Sequence, residues 1–264
     1  MTTGLIWREL TAESKNAVRC TISSTSATAL TADRRLTTDD WFSMKRVVTP
    51  ELLDTDSGTP YEIAASISDL RQINRWFGGV ATTQDMVLRV AKKLNVSSFS
   101  LLEVAAGSGY VPETVGQRLS PRGLSLEVTL LDRAASHLSN GKRAVVGDAL
   151  ALPFRDSSFD LLSCNLFAHH LSPQELVRFV DEALRVCRVA ALINDLVRHA
   201  LHMSLVYAAL PLYRSRLTRH DAPASVRQAY TPEEMRTLLA KTRAARVEIH
   251  RHYLFRMGVI VWKC

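Results

Sequence analysis

Apolar positions along this chain change rhythm several times, and the changes mark out the elements. From Pro60 to Gly79, Ile63, Ile67, Leu70, Ile73, Trp76 and Phe77 recur three and four residues apart. That spacing predicts an amphipathic helix, and Gly78-Gly79 supplies its stop. A second helix is predicted over Thr82 to Leu94, with Met86, Val87, Val90 and Leu94 on one side. Short apolar runs bounded by turn residues then predict strands at 99–105, 126–132, 143–146, 159–165 and 189–194. Helices are predicted between them at 112–119, 134–138 and 173–187.

Strands alternating with helices imply an α/β fold whose mostly parallel sheet carries helices on both faces. The rhythm breaks after Asp195. Residues 196–229 hold an apolar helical stretch with Leu201, Leu205, Tyr207, Leu210 and Leu212, then a polar loop. Trp76, Met203 and Tyr207 read as core positions. Thr231-Pro232-Glu233-Glu234 predicts a helix start. Val247–Arg251 and Val259–Lys263 complete seven strands, the last antiparallel because the link before it is short.

Residues 1–43 follow no lasting period. They are rich in Ser and Thr with balanced charge, which predicts a poorly ordered arm. Residues 44–96 read as a small helical N-terminal cap, and 97–264 as the main domain with an insert at 196–229. A compact domain begins at Met44-Lys45-Arg46, and Met44 is a candidate natural start.

Composition adds few constraints. The length of 264 residues suits one decorated α/β domain. No apolar run is long enough to span a bilayer, and the N-terminus lacks a secretory h-region. Cys20, Cys164, Cys187 and Cys264 are scattered without a CxxC pair, so reduced thiols in a cytoplasmic protein are expected, with no metal. The net charge of +7 comes from dispersed arginines and reads as a solvated basic surface.

The chemistry gathers at Leu101-Leu102-Glu103-Val104-Ala105-Ala106-Gly107-Ser108-Gly109-Tyr110. An apolar strand ends in an acid and small residues, so a backbone turn can approach a ligand closely. Asp132 ends the second strand, placed to hold ribose hydroxyls in a nucleotide-binding sheet. No GxGxxG is present, so the dinucleotide pattern fits poorly.

Glu103 to Gly109, Asp132, Gly147-Asp148-Ala149-Leu150-Ala151-Leu152-Pro153-Phe154 and Ser158-Phe159-Asp160-Leu161-Leu162 together resemble the class I S-adenosylmethionine-dependent methyltransferases. The resemblance covers about residues 60–264 and implies a Rossmann-like seven-stranded sheet. It implies that Gly107 and Gly109 line the methionine and ribose side of S-adenosyl-L-methionine, with Glu103 beneath the turn near the amino group. It implies further that Asp132 takes the ribose hydroxyls, that Asp148 and Ala149 bracket the adenine, and that Asn165 offers backbone to the methionine amino group. Ala105 stands where the family has a glycine.

Methyl transfer needs positioning, and a base only if the acceptor must lose a proton. Phe167-Ala168-His169-His170 follows the fourth strand, where ligands of such sheets lie. His169 and His170 are therefore catalytic candidates, since an unperturbed imidazole titrates near neutrality. Asp195 is a third, able to orient an acceptor or the histidine. The insert, with Ser225 to Tyr230 and with Asn74-Arg75-Trp76, resembles small-molecule methyltransferases found near polyketide and quinone pathways. The expected activity is methylation of a small, largely apolar acceptor, at oxygen. Two alternatives stay open: a nucleic-acid methyltransferase, disfavoured by the absence of an Asn/Asp-Pro-Pro-aromatic signature, and a non-catalytic binding module. The acceptor and the oligomeric state are left open.

Overall fold

The computed structural model describes residues 44–55, 57–138 and 143–263. The expected N-terminal arm lies outside them. The elements run α1 (Pro60–Trp76), α2 (Gly79–Leu94), β1 (Ser98–Val104), α3 (Tyr110–Leu119), β2 (Ser125–Asp132), β3 (Ala144–Val146), β4 (Phe159–Asn165), α4 (Pro173–Val186) and β5 (Cys187–Leu196). After these come α5 (Ala200–Ala209), α6 (Arg216–Gln228), α7 (Pro232–Leu239), β6 (Arg246–His252) and β7 (Arg256–Trp262). The strands form one sheet in the order β3-β2-β1-β4-β5-β7-β6, with β7 antiparallel to both neighbours. This is the expected Rossmann-like sheet.

The strand order reverses between β1 and β4, so a crevice opens beyond their carboxyl ends. Register sets what meets there. Glu103 of β1 lies beside Ser163 of β4, and Asn165 of β4 beside Asn194 of β5.

Successive side chains of a strand point to opposite faces. Leu101, Leu161 and Leu192 accordingly pack under α2 and α3, against Met86, Val87, Val90, Val115 and Leu119. Leu102, Leu162 and Ile193 pack under α4 and α7, against Leu176, Phe179, Val180, Met235 and Leu239. Three helices start alike: Thr59, Ser172 and Thr231 each cap a Pro-led first turn, and Glu62, Glu175 and Glu234 close the capping box.

The two helices expected to form a cap divide their work. α1 packs against α6, above the crevice, while α2 lies on the sheet beside α3 and β7. The apolar face of α2 explains the difference, since Met86, Val87 and Val90 have no exposure at all. The polar stretch expected as a loop is the helix α6. Its charged positions hide a buried face of Leu217, Thr218, Ala224 and Val226, and it tolerates Pro223 in its interior. Of the three presumed core positions in the helical segments, Met203 is buried, whereas Trp76 and Tyr207 are exposed. Among the described residues no helix is long and apolar enough to cross a membrane.

Candidate functional site

The turn after β1 alternates backbone hand. Ala105, Gly107 and Gly109 all have positive φ, at 51°, 50° and 72°. Ala105 thus takes a conformation that ordinarily favours glycine, at a cost of about 1 kcal/mol. The two glycines serve different ends. A Cβ on Gly107 would meet nothing within 4 Å, so this backbone is open for close approach. A Cβ on Gly109 would stand 2.6 Å from Leu130 Cδ1, so this glycine lets α3 start against β2.

The turn borders a cavity of about 620 Å³. The Asp132 carboxylate accepts hydrogen bonds from Gly107 N at 2.8 Å and Ala134 N at 2.9 Å, tying the turn to the end of β2. Asp148 accepts from Leu150 N at 2.9 Å, which shapes the loop carrying Ala149 along the same wall. Glu103 is buried under the turn. Ser163 Oγ and, at 2.6 Å, Asn165 Nδ2 donate to its carboxylate. Burial outweighs these two hydrogen bonds and raises its pKa to about 7. The network extends inward: Thr83 Oγ1 donates to Asn165 Oδ1 at 2.8 Å, and Asn194 Nδ2 donates to Thr83 Oγ1 at 2.9 Å. Above the turn, Arg71 of α1 reaches Ser108 Oγ at 3.3 Å.

Opposite this wall, a strap of residues 44–55 crosses the crevice. Arg46 fastens it by donating to the carbonyls of Gln228, His169 and Leu171 at 2.7, 3.0 and 3.0 Å, and by stacking over Tyr230. The Asp221 carboxylate accepts from Leu52 N and Leu53 N. The strap brings Glu51 and Asp54 to the histidines. Glu51 Oε1 accepts from Ser225 Oγ at 2.6 Å and Gln228 Nε2 at 2.7 Å.

His169 is buried. Its Nδ1 lies 2.6 Å from Asp195 Oδ1, and its Nε2 lies 3.5 Å from Glu51 Oε1. Burial alone would push its pKa down. The Asp195 charge and hydrogen bond, with Glu51, outweigh burial and hold the ring up at about 10. The surrounding carboxylates thus favour the charged form of the ring. His170 Nδ1 lies 2.8 Å from Asp54 Oδ2.

A second cavity of about 240 Å³ adjoins the first, sharing Glu51, Leu53, Leu70, Leu166 and Ser225 with it. Its remaining wall is mainly apolar, including Ile73, Phe77, Val206, Ala209, Ala222 and Phe255. Two buried basic residues border it. His202 stacks on Phe255, and its Nδ1 faces Val197 O at 2.9 Å; burial lowers its pKa to about 4. Arg256 donates to Phe77 O, Asn194 Oδ1 and Asn74 Oδ1.

Glu103, Ala105, Gly107, Asp132, Asp148, Ala149, Asn165, His169 and His170 all line the larger cavity. Gly109 and Asp195 do not: Gly109 underlies the turn, and Asp195 stands behind His169. Glu51, Asp54, Arg71 and Ser225 line the cavity without having been expected there. The strap has no period to betray it, and only folding brings it to the histidines. Ser225 belongs to a stretch singled out for its resemblance, but nothing local marked it as facing the cavity.

A family model described as a methyltransferase domain matches residues 102–193. No curated protein matches the chain significantly. The structure is similar to that of the plantazolicin methyltransferase BpumL in complex with a triazolic desmethylPZN analog and SAH. That match has 11% identity and a TM-score of 0.59, and it covers 80% of this chain and 93% of that one. It is also similar to an O-methyltransferase family 2 protein from Planctomyces limnophilus DSM 3776 in complex with apigenin. Here the identity is 18% and the TM-score 0.52, covering 80% of this chain and 63% of that one. The CurJ carbon methyltransferase matches at 13% identity with a TM-score of 0.48, covering 69% of this chain. The chain spans 53%, about half, of that protein's length.

Proposed function

We propose that this chain, whose residues 102–193 match a methyltransferase-domain family model, transfers a methyl group from S-adenosyl-L-methionine to oxygen of a small, largely apolar acceptor. The observation that carries this is the pair of adjoining cavities, one of mixed polarity and bordered by the glycine turn, the other mainly apolar. Ligand pockets are mostly apolar with a few placed polar groups, and the smaller cavity has that character.

In the larger cavity, Gly107 lets the methionine part approach the backbone. Asp132 takes the ribose hydroxyls, and Asp148 with Ala149 brackets the adenine. Glu103, beneath the turn, faces the amino group of the donor with Asn165, and Arg71 at the rim complements its carboxylate. The sulfonium supplies an already activated methyl group when bound. The chain's own task is alignment and exclusion of water. α1, α6 and the strap cover the junction and perform it. His169 and His170 border the junction where the acceptor oxygen would lie. Asp195 is a positioning residue, gripping both the backbone N and the Nδ1 of His169.

Calorimetry with S-adenosylmethionine tests the donor, and absence of binding defeats the proposal. Incubation with a labelled methyl donor and native metabolite extract tests the acceptor. Label recovered on carbon or nitrogen overturns the oxygen assignment.

A further inference from the structure

We propose that Glu51, His169 and His170 form a site for one divalent transition-metal cation of the zinc type, at the junction of the two cavities. The sequence carries no metal-ligand spacing because Glu51 and the histidines lie far apart in the chain. Both imidazoles are arranged alike. Each presents Nδ1 to a carboxylate, His169 to Asp195 at 2.6 Å and His170 to Asp54 at 2.8 Å. A carboxylate at Nδ1 keeps the proton there and turns the Nε2 lone pair outward, the pattern by which proteins orient metal-binding histidines. Both Nε2 atoms then face the same carboxylate, 3.5 Å from Glu51 Oε1 and 3.8 Å from Glu51 Oε2.

These separations leave Nε2 of His169 buried and without a hydrogen bond. A buried polar atom in that state calls for a partner. A cation in place of the Nε2 proton provides one, and the proton leaves to solvent. One ligand atom from each of the three residues lies within 4.8 Å of the other two. A modest closure brings them to the ~2.0–2.2 Å that zinc requires of imidazole and carboxylate. Two imidazoles and one carboxylate suit zinc, iron or cobalt better than the all-oxygen preferences of magnesium and calcium. Ser225 and Gln228 brace Glu51, so the carboxylate is held before any cation arrives. Three protein ligands leave a further position open to the cavity, where an acceptor oxygen would bind and become more acidic. The acceptor's place on the cation rests on the proposed function, whereas the three ligands are not among the residues assigned to the methyl donor.

The test uses the full chain, stripped by chelator and titrated with Zn²⁺ by calorimetry and with Co²⁺ by visible absorption. The expected result is one equivalent per chain, micromolar or tighter, with the ligand-field bands of a four- or five-coordinate cobalt ion. Glu51→Gln and His170→Ala should each weaken binding about tenfold or more. Asp54→Asn, which acts only through His170, should weaken it by about tenfold. His250→Ala, distant from the site, should bind as the parent does. Thermal melts and donor calorimetry on the same samples separate loss of the cation from loss of fold or of donor binding. No saturable binding to the parent chain overturns the proposal. So does binding that survives in Glu51→Gln, His170→Ala and Asp54→Asn alike.

Discussion

Asp195 grips His169 twice: Oδ2 accepts the backbone N–H of His169 at 2.9 Å, and Oδ1 meets Nδ1 of the same residue at 2.6 Å. One carboxylate thereby fixes both where the histidine begins and how its ring is turned. Asp195→Asn keeps the shape and removes the charge. It should lower methyl transfer by about tenfold or more, because the ring at the acceptor junction loses its fixed orientation, and leave donor affinity unchanged. Single-turnover rates and donor calorimetry on a variant with a normal melt check this. A variant with unaltered rate would show that Asp195 serves folding alone.

Glu103 should give stability a distinctive pH dependence. Its folded pKa of about 7 lies above the ordinary 4.5 because burial disfavours the charge. The fold therefore holds a proton that the unfolded chain releases first. The contribution is fully present below about pH 4.5 and is lost as pH rises through 7, a change of about 3 kcal/mol. Denaturant melts of the parent minus those of Glu103→Gln should show this decline. If the donor's ammonium group sits on Glu103, binding at pH 6 should release a proton. Calorimetry in buffers of differing ionisation enthalpy would detect it.

The three left-handed residues of the turn should separate by phenotype. Gly107→Ala places a methyl group in open cavity, so stability should fall only by about 1 kcal/mol of backbone strain, while donor affinity falls at least tenfold. Gly109→Ala drives a methyl group into Leu130 and should cost about 2–3 kcal/mol. Ala105→Gly relieves strain but adds unfolded-state entropy, so it should be neutral or stabilising by up to about 1 kcal/mol. Melts paired with donor titrations distinguish the three, and a Gly107→Ala variant with normal donor affinity would contradict the donor placement.

Ala222 of α6 lines only the smaller cavity. Ala222→Phe should fill that space, raising the acceptor KM about tenfold or more and leaving donor Kd as it was. The opposite pattern would place the acceptor elsewhere.

Arg46 secures the strap through three carbonyls and Tyr230. Arg46→Ala should cost about 2 kcal/mol, since charge-assisted bonds are lost and the carbonyls stay half-buried. Hydrogen exchange should rise across residues 47–54, and an unchanged exchange pattern would show the strap to be held by Glu51 and Asp221 instead.

What the sequence determined by itself is local and periodic. Short apolar runs marked the strands, Thr231-Pro232 announced the start of α7, and the run from Glu103 to Gly109 announced a ligand turn. In each case the information lies within a few residues of where it acts. The tertiary structure decided everything that depends on distant segments meeting. α2 lies on the sheet because an apolar face as complete as Met86, Val87 and Val90 is best buried there. α6 forms from a polar stretch because Ser66, Leu52 and Leu53 supply partners for Thr218 and Asp221. His169 was legible as a catalytic candidate, but its raised pKa was not, because Asp195 and Glu51 reach it from separate parts of the chain. Long-range electrostatics and packing leave no period in a sequence, so the glycine turn was legible and the strap that faces it was not.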